Sequence, residues 1–71
     1  MNAAQIKTMW DKDPNAVAKA FTATLKDFGY ATLTEEYVKG LIEKLVKGEA
    51  PTGAIGMFLN KWLKDGIDDD D

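Results

Sequence analysis

The chain contains no cysteine, no histidine, no serine and no arginine, and only two of its residues are proline. Without cysteine there is no disulfide to staple a small fold. Without thiolates or imidazoles a structural zinc site has no suitable ligands either. Nucleophilic catalysis draws mainly on Ser, Cys, His or Lys with an activating neighbour. Only Lys and Thr remain, and no imidazole is present to act as base. Enzymatic activity is therefore not expected, and no catalytic, cofactor-binding or metal-ligating residue is assigned. Arginine is the preferred residue for a two-pronged grip on phosphate and is enriched at binding hot spots. All nine cationic side chains are lysines, and twelve carboxylates outnumber them for a net charge of −3. That balance disfavours nucleic acid and anionic membranes as partners. No apolar run approaches the length needed to span a bilayer. The opening, MNAAQIKTMW, lacks the basic region and apolar core of a secretion signal, so a soluble cytoplasmic protein is expected.

What is present reads as helix. With 71 residues, of which 45% are hydrophobic and 30% charged, the composition is that of one small globular domain. Ile6, Met9 and Trp10 fall at i, i+3 and i+4 behind a capping Asn2, giving a short helix over 3–10. Asp13-Pro14 combines a capping carboxylate with proline at the first helical position. From there Val17, Phe21, Leu25 and Phe28 form one stripe, so a second helix is predicted over 14–28 and stopped by Gly29. Thr34 with Glu35 and Glu36 opens a third helix over 35–47, closed by Gly48. Its apolar face (Tyr37, Val38, Leu41, Ile42, Leu45, Val46) is wide enough to touch two neighbours. A fourth helix over 53–65 carries Ile55, Phe58, Leu59 and Trp62 on one side, with Thr52 as its cap and Gly66 as its stop. No alternation long enough for a sheet is present.

The stretch GEAPTGAIGMFLNKWLKDG, residues 48–66, imitates several ligand loops. Gly48 and Gly53 have the P-loop separation, but Ala54 and Ile55 stand where Lys and Ser/Thr belong, and no strand precedes. Gly53-Ala54-Ile55-Gly56 matches the GxxG loop of KH domains, yet it carries no basic residue and lacks the accompanying sheet. Helix punctuation explains more. Gly56 falls inside a helix, where glycine costs about 0.5–1 kcal/mol relative to alanine. It borders the apolar stripe, as Gly40 does on the third helix, so the two are expected to face each other at a close helix crossing. Asp11-Lys12-Asp13-Pro14-Asn15 opens like a calcium-binding EF-hand loop. The loop then fails at its sixth and twelfth positions, occupied by Ala16 and Thr22.

The sequence thus predicts an all-α protein, a compact bundle of four short helices in one domain over 1–67, with residues 68–71 as a disordered acidic tail. The leading functional expectation is protein–protein interaction or self-association through the third and fourth helices, with an unidentified protein or a second copy as partner. Tyr37, Phe58 and Trp62 are expected to share an exposed patch, the competing expectation being that the monomer buries all three, with Met57 as an adaptable side chain across the fourth helix from the stripe. The alternative is a nucleic-acid-associated regulator with a degenerate helix-turn-helix in the second and third helices. Against it, the leading end of the third helix carries Glu35 and Glu36.

Overall fold

The computed structural model describes residues 1–67; the acidic tail expected at 68–71 lies outside the described residues. The architecture is all-α, with helices α1 (Ala3–Lys12), α2 (Pro14–Asp27), α3 (Glu35–Val46) and α4 (Gly53–Asp65). The first three starts each have a side-chain cap. The Asn2 side chain accepts from the Gln5 N–H at 2.8 Å while the Gln5 side chain accepts from the Asn2 N–H at 2.9 Å, a reciprocal cap on α1. The Thr34 hydroxyl accepts from the Tyr37 N–H at 3.1 Å and opens α3.

α1 runs two residues beyond its expected end at Trp10, and Asp13 alone separates it from α2. The Asp13 N–H donates to the Met9 carbonyl at 2.7 Å, closing α1, while its carboxylate accepts from the Ala16 N–H at 3.4 Å, opening α2. One residue thus ends a helix and begins the next. The segment that imitates an EF-hand loop is a helix–helix corner.

α2 and α3 end alike. The Gly29 N–H donates to the Lys26 carbonyl and the Tyr30 N–H reaches back to Leu25, both at 3.0 Å. Gly48 and Glu49 repeat the pattern on Leu45 and Lys44 at 3.0 and 3.1 Å. These are Schellman ends, which require a left-handed residue after the cap. Gly29 and Gly48 supply it with φ of +100° and +98°.

The core draws on every helix: Ile6 from α1, Val17, Phe21 and Leu25 from α2, Val38 and Ile42 from α3, and Leu59 and Trp62 from α4. Burying each such side chain contributes about 1.5–3 kcal/mol. Thr22, a buried polar residue, donates its hydroxyl to the Ala18 carbonyl at 2.7 Å and is satisfied. α2 packs against α1 and α3, and α4 against the same two helices. The α2 and α4 backbones run further apart. Aromatic rings fill the space between them.

The chain termini of the described region are tied together. The Ile67 N–H donates to the Met1 carbonyl at 2.9 Å, and the Met1 amino group donates to the Ile67 carbonyl at 3.1 Å. Both side chains pack on the core. Gly66 makes this crossing possible. Its φ is +89°, and a Cβ there would stand 2.5 Å from the Met1 carbonyl oxygen and 2.7 Å from the Asn2 Cα.

Two expectations need correction. Thr52 occupies the N-cap position, but its side chain makes no capping hydrogen bond. Gly53 beside it opens α4 with a φ of +73°, a left-handed conformation. Gly40 and Gly56 do not form a close crossing. A Cβ on Gly40 would meet nothing within 4 Å, and one on Gly56 would touch Pro51 of the preceding link at 3.6–3.7 Å rather than α3. Gly56 is buried because the chain entering α4 folds back over it.

Candidate interaction surface

A continuous run of rings extends from the core to the surface between α2 and α4. Phe21, fully buried, meets Trp62 edge to face with centroids 5.5 Å apart. Trp62 lies 5.6 Å from Phe58 on the preceding turn of α4. Phe58 in turn stacks on Phe28 at 5.3 Å, with an interplanar angle of 26°, and meets Tyr30 in a T-shaped arrangement at 6.2 Å. Phe28 also approaches Trp62 at 6.1 Å. Offset-stacked and edge-to-face pairs at such separations contribute about 0.5–1.5 kcal/mol each beyond the area they bury.

Exposure changes steeply along this run. Trp62 is 6% exposed, Phe58 is half-buried, and Phe28 is 58% exposed. Local structure explains the last. Phe28 continues the stripe of Phe21 and Leu25 by spacing, but it is the capping residue at which α2 stops. The chain turns at Gly29 and brings Tyr30 back over Leu25, so the Phe28 ring overhangs the end of its own helix. It rests on Phe58 with its outer face in solvent.

The residues expected to form one patch are therefore distributed differently. Tyr37 is exposed at 54%, but no ring contact joins it to Phe58 or Trp62 among the described residues. Trp62 belongs to the core. Phe58 is shared between core and surface, and Met57 is exposed at 58%. Ala54 and Lys61 lie within one turn of both Met57 and Phe58, so these four positions are neighbours on the outer side of α4. The exposed surface continuous with the ring cluster is thus built by the end of α2, the Gly29–Tyr30 turn and α4, while α3 contributes Tyr37 and Val46, exposed but outside that cluster. Phe28 has the spacing of the core stripe and Tyr30 falls between the second and third helices, so neither is singled out by periodicity. The available signal was the aromatic pair flanking the glycine of a Schellman end, where the apolar residue after the glycine folds back on the helix.

Lys61 and Asp65 stand beside Phe28 and Trp62 at the rim, in a shallow depression that also includes Gly66 and Ile67. Elsewhere, Glu35 and Glu36 at the start of α3 are exposed. Among the described residues no cluster of acidic side chains is gathered as a metal site, and no helix is long and apolar enough to cross a membrane. Comparison of the chain with protein-family models, with curated proteins and with solved structures finds no match.

Proposed function

We propose that this protein is a small interaction module that pairs with a second copy of itself through the surface centred on Phe28 and Phe58, with Met57 at its edge. The observation that carries this reading is the Phe28 ring, more than half exposed yet held in place by stacking on Phe58 and by the Schellman turn behind it. An aromatic side chain fixed before binding loses little conformational freedom on docking, and such side chains are frequent anchors of interfaces.

A second copy suits this surface for two reasons. A two-fold interface brings the same patch together on both partners, so the groups on it must be self-complementary. Lys61 and Asp65, of opposite charge, both border Phe28 and can be opposed across such an axis. In addition, these residues include no cysteine or histidine for a disulfide or zinc site, and association is one of the means, beside tight helix packing, by which a small core gains stability. Recognition of nucleic acid by α3 is the weaker reading, because its exposed leading end carries Glu35 and Glu36 and repels phosphate. Sedimentation over a wide concentration range, with Phe28→Ala as the control, tests the pairing directly.

A further inference from the structure

A second concave surface lies away from the Phe28 edge, in the angle between α1 and α3. These two helices do not pack closely, and α4 forms the floor of the opening between them. The resulting groove has a volume of about 270 Å³. Trp10, Leu45, Val46 and Leu63 supply its apolar lining. Three of these are partly buried against the core, and Val46 is half exposed. Lys7 and Lys64 line the same groove from α1 and α4, with Asp11 as the single carboxylate and Asn60 as a neutral hydrogen-bonding group.

Two ammonium groups against one carboxylate make this groove locally cationic on a chain whose net charge is −3. Lysines at an apolar margin lay their stems along it and hold their charged ends in water. A ligand with an apolar body and one anionic end matches both features. The volume of about 270 Å³ falls just below the roughly 300–1,000 Å³ of drug-sized sites, which suits a short chain rather than a partner helix. We propose that this groove binds a medium-chain aliphatic carboxylate, with its hydrocarbon between Trp10, Leu63 and Val46 and its carboxylate at Lys7 and Lys64. This site is independent of the Phe28 surface.

The chain's two tryptophans make the test direct, since Trp10 lines the groove and Trp62 lies in the core. Decanoate, held below its micellar concentration, is titrated into the isotope-labelled wild-type protein while the two indole N–H signals are followed. The expected result is a saturable shift of the Trp10 indole signal and of the Asn60 side-chain amide, with the Trp62 signal unmoved. Affinity is expected to rise up to about fourfold per methylene from hexanoate to decanoate. Lys7→Gln and Lys64→Gln should each weaken decanoate by about two- to fivefold while leaving decanol unchanged. The proposal is overturned if Trp10 does not respond, or if decanol or decyltrimethylammonium binds as tightly as decanoate. It is equally overturned if the Trp10 signal moves with protein concentration alone, which would assign the groove to a second copy.

Discussion

Phe28 and Phe58 stack with their centroids 5.3 Å apart, and Phe28 is nevertheless 58% exposed. The pair joins the capping residue at the end of one helix to the middle of another whose backbone stands further off. It therefore has a structural share and a surface share, and substitution separates them. Phe28→Ala removes a ring that is mostly in water, so an unfolding loss of about 1 kcal/mol is expected, from the stacking and the covered half of the ring. Phe21→Ala, in the fully buried position, should lose about 3–5 kcal/mol. Urea denaturation of both variants checks the contrast. Similar losses at the two positions would mean that Phe28 serves the core.

Gly40 and Gly56 carry a prediction opposite in sign to the one the sequence suggests. A close helix crossing would make added methyl groups harmful. The structure leaves open space at Gly40 and only ordinary contact distance from Pro51 at Gly56. Both lie inside helices without a left-handed φ. Gly40→Ala is therefore expected to stabilise by about 0.5–1 kcal/mol, the intrinsic helical advantage of alanine. Gly56→Ala should be neutral to mildly stabilising. Thermal melts decide it, since each kcal/mol moves the midpoint of a chain this small by about 4–8 °C.

Gly66 and Gly29 share a left-handed backbone but differ in surroundings. At Gly29 a Cβ meets nothing within 4 Å, whereas at Gly66 it would strike the Met1 and Asn2 backbone at 2.5–2.7 Å. Gly29→Ala should cost only the conformational penalty, about 1–2 kcal/mol. Gly66→Ala should cost clearly more and release the pairing between Met1 and Ile67. Faster hydrogen exchange at the Ile67 amide in Gly66→Ala, but not in Gly29→Ala, is the expected signature.

The two threonine caps should respond unequally. Thr34 accepts from the Tyr37 N–H, while Thr52 makes no capping bond. Thr34→Ala is expected to lose about 1 kcal/mol. Thr52→Ala should stay within about 0.5 kcal/mol of the parent, as for an ordinary surface change. Equal losses would show that Thr52 caps α4 in solution.

The bundle itself was readable because its signals are local. Asp13-Pro14, Thr34 with two glutamates, and Gly29, Gly48 and Gly66 mark helix ends through single-residue chemistry, and the four helices fall where those residues put them. Only the end of α1 runs on, because Asp13 caps from both sides and leaves no gap between helices. The surface was less readable because helical spacing reports which side chains share a stripe, not where the neighbouring helix ends. Phe28 has core spacing but lies at the terminus of α2, so its ring overhangs. Trp62 and Phe58 share a stripe on α4, yet one is covered by Phe21 and the other by the overhanging ring. Gly40 and Gly56 have the angular position of a crossing, but the approach that would make them one depends on the separation of α3 and α4, which spacing along a single helix does not encode.

Sedimentation velocity from micromolar to millimolar protein tests the central claim most directly. The expected result is a weight-average sedimentation coefficient that rises with concentration toward the dimer for the parent chain. Phe28→Ala, confirmed as folded by its melt, should remain monomeric over the same range, and the parent's Phe28 ring signals should shift as the dimer forms. A parent chain that stays strictly monomeric up to millimolar concentration, or a Phe28→Ala variant that dimerises as readily as the parent, would contradict the account.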